Sequence, residues 1–294
     1  MNYLFFNESN KLRSGWRIAI FLFVFFLVAT FLTILQSDVL RRFAIDPIES
    51  KTIYFAVNGA GLLVLSLVLG GAAGRLFEDL PFRSIGASFA NGWLGHLLLG
   101  LLIGAITLAI AVLIAFLCGG ERFEFNASDT SSLTASLGIS LVVIAINAAW
   151  EEAFFRGYIF QTLTRSDLAW LAVVLTSAFF GLVHLDNPNA TAISTGNTIL
   201  AGVWFGLAYL KTRNLWFVWG IHLMWNWVQG AVFGIEISGM TGLATTPLLR
   251  EIDTGPTWLT GSTYGIEGGV ACTFALIISM ALIHFLPIKA EPPA

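Results

Sequence analysis

Residues 131–150 read SSLTASLGISLVVIAINAAW, and the chain runs on without a break into Glu151-Glu152-Ala153-Phe154-Phe155-Arg156. Twenty uncharged residues lead into two adjacent carboxylates, and Arg156 follows Glu152 by four positions. About 20 predominantly apolar residues are what a helix needs to cross the hydrocarbon core of a bilayer. Charges at that depth are expensive and usually turn toward a bundle interior or a water-filled cavity. The stretch therefore predicts a membrane-spanning helix with a site built into it.

The rest of the chain agrees. Of 294 residues, 56% are hydrophobic and 11% charged, with a mean hydropathy of +0.80. A soluble domain carries roughly 25% charged residues, so this is an integral membrane protein. A net charge of -3 points to neither nucleic acid nor an acidic ligand. Eight uncharged runs can be marked out: 18–35, 52–74, 92–120, 131–150, 168–183, 195–210, 214–235 and 268–288. They predict an all-α polytopic transmembrane helical bundle of about eight spans. The fifth and sixth runs, 16 residues each, are short for a span. The first run is long for a signal-peptide core and lacks a cleavage site, so it reads as a retained helix. Residues 1–130 form about three N-terminal spans, 131–235 a catalytic core of the fourth to seventh helices, and 236–294 a polar loop plus the last helix. The loop at 236–267 is rich in Gly, Pro and Thr and reads as irregular chain over the mouth of the bundle. Cys118 and Cys272 fall in apolar stretches and read as small core residues.

Basic residues in short loops set orientation. With the N-terminus inside, the inner side holds Lys11, Arg13, Arg17, Arg75, Arg83, Arg165, Lys211, Arg213 and Lys289, against Arg41, Arg42, Lys51, Arg122 and Arg250 outside. Nine against five favours a chain in the cell membrane with both termini in the cytoplasm.

Two later apolar runs each carry a histidine: Phe180-Gly-Leu-Val-His184 and His222-Leu-Met-Trp-Asn226. Residues four apart share a helix face, which pairs Glu152 with Arg156, Phe180 with His184 and His222 with Asn226. Glu151 lies about 100° around the helix from Glu152, so one acid can pair with Arg156 while the other faces a cavity. Glu151 and His184 lie 16 and 17 residues from the turn near Asp167, about 25 Å along their helices at 1.5 Å per residue. His222 lies only eight residues past Asn214, about 12 Å along, and matches that depth only if helix ends project unequally. One carboxylate, two imidazoles and an amide at one depth suit hydrolysis of an amide: a glutamate as base, histidines that orient water or bind a metal, and an amide for the oxyanion. The bland readings are an ion pair between Glu152 and Arg156 and two packing histidines. Trp150, Trp225 and Trp227 read as packing or lipid-facing aromatics.

Glu151-Glu152-x-x-x-Arg156, Phe180-x-x-x-His184 and His222-x-x-x-Asn226, in this order on three apolar helices, resemble the motifs of the CPBP intramembrane proteases, the CAAX proteases and bacteriocin-processing enzymes. Arg156-Gly157, Asn187-Pro188 and 209–216 also look like the family, and the resemblance covers about 131–230. It implies an intramembrane endopeptidase acting on a membrane protein or lipidated peptide, with Glu151 as water-activating base. It further implies His184 and His222 holding the water or a metal, and Asn226 stabilising the oxyanion. If a metal is used, the set is His184, His222 and Glu151 with Zn2+; the spacing of the histidines leans instead to a water held without an obligatory ion. Two other readings remain: a proton-coupled transporter with the acids and histidines as a relay, and a non-catalytic immunity or scaffold protein.

Overall fold

The computed structural model describes residues 4–8, 10–46, 49–89, 92–288 and 290. Helices form the bundle in the order α1 (Ser14–Arg42), α2 (Lys51–Glu78), α3 (Trp93–Leu117), α4 (Thr130–Glu152), α5 (Phe160–Arg165), α6 (Ala169–Val183), α7 (Ala192–Thr212), α8 (Leu215–Trp227), the one-turn α9 (Thr257–Thr260) and α10 (Val270–Phe285). A π-helical segment, Ala153–Ile159, joins α4 to α5, and another, Val228–Val232, prolongs α8. Every one of the eight apolar runs lies on a helix. Among the described residues five helices are long and apolar enough to cross a membrane: α1, α2, α3, α7 and the continuous rod Thr130–Arg165. The architecture is an all-α polytopic bundle, as expected.

The short helices decide where a site can sit. α6, α8 and α10 have 15, 13 and 16 residues, about 20–24 Å at 1.5 Å per residue. The hydrocarbon core is about 30 Å thick. Each α-helical stretch is shorter than that, and non-helical chain at membrane depth is tolerated only where protein buries it or it lines a wet cavity. The sixth run grows on folding: α7 reaches 21 residues, starting at a capping box between Thr191 and Ser194.

One end of the bundle is basic. Arg17 at the start of α1 and Arg165 at the end of α5 both meet Glu78 at the end of α2, at 3.4 and 2.9 Å. Lys11 pairs with Asp79 at 3.0 Å, and Lys211 Nζ donates to the His284 carbonyl. These cations all stand on the side counted as inner. Lys289, counted with them, and both chain ends lie outside the described residues.

Where helices touch most closely, glycine makes it possible. Gly100 and Gly104 of α3 are one turn apart, and a Cβ on either would sit 2.2 or 2.3 Å from the carbonyl oxygen of Phe217 or Ile221 on α8. Small residues at such spacing let membrane helices approach backbone to backbone. This seam fixes the helix that carries His222.

The 236–267 loop is more ordered than its composition suggests. Its strand β2 (Leu249–Asp253) pairs antiparallel with β1 (Glu121–Phe125), Glu121 opposite Asp253 and Phe123 opposite Glu251. Residues opposite each other point to the same face, so Glu121, Glu251 and Asp253 share one. Burial first, and then repulsion from Glu251 and Asp253 on Glu121 and from Glu236 and Asp253 on Glu251, push both carboxyls up to about 8. Cys118, expected in the core, is exposed just past α3, whereas Cys272 is buried.

Candidate active site

The π segment places the first motif. Its wider turns arise where Gly157 takes ψ -107°, outside the helical range; such bulges concentrate at functional sites. All seven of its residues are buried. Glu152, the last α-helical residue, meets Arg156 with its Oε1 3.3 Å from Nη1. Arg156 is wholly buried. Its Nη2 donates to the Gly202 carbonyl at 3.0 Å, and its guanidinium stands 5.0–5.5 Å from the ring centres of Phe155, Phe180 and Phe205. A desolvated cation among ring faces gains from each, but it needs its one carboxylate.

That carboxylate has a second client. His222 Nδ1 lies 2.8 Å from the same Glu152 Oε1. A carboxylate oxygen only accepts, so Nδ1 carries a proton, and in the neutral ring Nε2 is an acceptor. Nε2 faces Glu151, 3.9 Å from Oε2. The two adjacent acids thus divide: Glu152 reaches Arg156 and one nitrogen of His222, and Glu151 faces the other nitrogen. The ring of His222 lies flat on Phe205 with centres 4.8 Å apart.

His184 caps α6. Its Nδ1 is 2.7 Å from the Phe180 carbonyl oxygen, which again puts the proton on Nδ1 and leaves Nε2 open. Phe180 supports both imidazoles, with ring centres 4.6 Å from His184 and 6.2 Å from His222.

The depth mismatch of His222 has a structural answer. Asn214, the cap of α8, is completely buried and accepts from Trp216 N and Phe217 N. Leu215 N donates to the Gly86 carbonyl. The α7–α8 turn is recessed into the protein, so eight residues suffice to bring His222 level with Glu152.

Glu151, His184, His222 and Asn226 all line one cavity of about 300 Å³. It is a mixed cavity, with aromatic walls and several amides. It opens at the end of the bundle away from the Glu78 cluster: His184 ends α6, Asn226 is near the end of α8, and Cys272 is in the first turn of α10. Residues of the 236–267 loop, among them Ile237, Ser238 and Met240, form part of its wall.

The sequence missed Glu267, Trp225 and Phe205. Of the two readings of Trp225, packing holds and lipid-facing does not: it is buried, and its Nε1 donates to Glu267 Oε1 at 2.9 Å. Glu267 Oε2 accepts from Ser238 Oγ, and the residue lines the cavity. A lone glutamate in a polar loop gives no local signal; only its place just before an apolar helix could have suggested it.

Zinc would draw on Glu151, His184 and His222. Among the described residues no group of three or more His, Cys, Asp or Glu side chains is gathered to hold a metal ion. As placed, these residues do not fit a three-ligand zinc site.

Residues 132–228 match the family described as type II CAAX prenyl endopeptidase Rce1-like. The chain is also 25% identical over 186 residues to the uncharacterized protein YyaK of Bacillus subtilis strain 168. That similarity covers 62% of this chain and 56% of YyaK, so the chain spans little more than half the length of this relative. Glu151, Glu152, Arg156, His184, His222 and Asn226 all lie within the matched segment, and it is over that segment that the chain is similar to the Rce1-like family.

Proposed function

We propose that the chain is an intramembrane endopeptidase that hydrolyses a peptide bond of a membrane protein or lipidated peptide by glutamate-activated water. The observation that carries this reading is the 3.9 Å gap between Glu151 Oε2 and His222 Nε2, with His222 fixed from behind by Glu152. The gap is too long for a hydrogen bond and suits a water taken between the two. Glu151 removes a proton from that water as its oxygen adds to the scissile carbonyl carbon. Asn226 donates to the oxyanion that forms. The C–N bond then breaks, and Glu151 passes the proton to the leaving amine. The water's second hydrogen is accepted by one imidazole Nε2, that of His222 or of His184, which orients it, and no ion is required in this scheme.

The test compares the termini of membrane proteins in cells that express the chain and cells that lack it, followed by assay of a resulting peptide with purified protein dialysed against a chelator. New termini, and cleavage that survives dialysis, are the expected results. An unchanged set of termini would sink the reading; cleavage lost on dialysis and restored by stoichiometric zinc would sink its metal-free form.

The basic end of the bundle is assigned to the cytoplasm by its cations, which turns the cavity mouth outward. Cys118 reports on this, because it is exposed at the cavity end while Cys272 is buried. A membrane-impermeant maleimide is expected to label Cys118 in intact cells. Labelling only after lysis would reverse the orientation.

A further inference from the structure

The catalytic scheme uses one of the two carboxylates in the cavity. The other, Glu267, sits in the Ile266–Gly268 turn just before α10 and also lines the cavity. Trp225, its partner, follows His222 by three residues along α8, about 4.5 Å of rise toward the cavity mouth. Glu267 is thus roughly one helical turn outward from the reacting centre.

Its surroundings are unusual for a carboxylate. Both oxygens are held by neutral donors, Trp225 Nε1 and Ser238 Oγ. Each keeps a free lone pair, since a carboxylate has about four acceptor sites. Among the described residues, no lysine, arginine or histidine forms a salt bridge with Glu267. The described lining of the cavity contains no lysine or arginine at all. Arg156 lies behind Glu152 and does not line it. The cavity therefore presents two acids, Glu151 and Glu267, to whatever enters, with no fixed cation to offset them. In a partly dry site such a field is weakly screened.

We propose that Glu267 is a specificity residue that receives a cationic group of the substrate, a lysine or arginine side chain or an α-ammonium, beside the scissile bond. This rests on the endopeptidase reading and narrows it. A substrate with a free carboxylate close to the scissile bond meets two like charges and is rejected. A cation forms a charge-assisted hydrogen bond with a carboxylate already aimed by two donors. Trp225 and Ser238 supply the aim, so little side-chain entropy is lost on binding.

The test uses the full chain in nanodiscs and a set of fluorescent Leu/Ala-rich peptide amides in which a single Lys, Gln or Glu steps along the sequence. Affinity is read by anisotropy and cleavage by mass spectrometry on the same samples. At the responsive position the protein should bind the Lys peptide about tenfold tighter than the Gln peptide, with the Glu peptide weakest. In Glu267→Gln the Lys preference should fall below twofold, and in Glu267→Lys the order should invert. Trp225→Phe, which removes one donor but keeps the carboxylate, should lower stability and retain the Lys-over-Glu order. Equal affinity for all three peptides at every position, absence of binding, or a preference that persists in both Glu267 variants overturns the proposal. Should Glu267→Gln fail to fold, the wild-type ranking and Glu267→Lys decide. Selective binding without cleavage of any peptide would count against the endopeptidase reading while leaving the charge selectivity standing.

Discussion

Glu152→Gln is expected to be the most damaging single substitution in the protein, costing about 3–5 kcal/mol of stability. Glu152 Oε1 serves Arg156 at 3.3 Å and His222 at 2.8 Å. An amide keeps the volume and loses the charge. Arg156, wholly buried, would then have carbonyl and ring-face partners but no anion, and an uncompensated buried charge is the expensive outcome of breaking a buried pair. The substitution reaches the chemistry as well. A glutamine can offer its N–H₂ to His222 Nδ1, moving the imidazole proton to Nε2 and turning the wrong group toward Glu151. Loss of the correct tautomer in a comparable carboxylate–histidine pair lowers turnover by about 10⁴. Thermal unfolding in detergent and cleavage of a reporter peptide check the two effects separately. A stable, active Glu152→Gln protein would show that neither contact matters.

Glu151→Gln should do the opposite: abolish activity and spare the fold. Glu151 faces the cavity, is partly exposed, and meets His222 only at 3.9 Å. Its removal orphans no buried cation. What is lost is the base, worth about 10²–10⁴ in rate. The unfolding midpoint should stay within a few degrees of wild type while cleavage disappears. If Glu151→Gln unfolds and Glu152→Gln folds without activity, the roles of the two acids are exchanged.

The two neighbouring acids also show what the sequence can and cannot say. That they point apart follows from 100° per residue, and that Glu152 takes Arg156 follows from a spacing of four. The eight helices were legible because lipid demands long apolar runs. The length of α7 was not, since its first turn rests on Thr191 and Ser194 capping each other rather than on hydropathy. The π segment was also hidden: Ala153–Ile159 reads as ordinary apolar helix, and its wide turns depend on what it packs against. The level of His222 required knowing that Asn214 is buried. The β1–β2 ribbon was out of reach, because β1 is a five-residue, mostly charged segment whose partner lies about 130 positions away.

That ribbon has a consequence for how the protein comes into being. β1 leaves the ribosome about 130 residues ahead of β2, and at 5–20 residues per second it waits some 6–25 seconds for its partner. Closing so long a loop costs entropy that only non-local pairing returns, which puts such contacts late in folding. All six residues of the proposed machinery precede position 230, whereas Ser238 and Glu267, which complete the wall, follow it. The nascent chain thus holds all six proposed groups while the wall that Ser238 and Glu267 complete is still unmade.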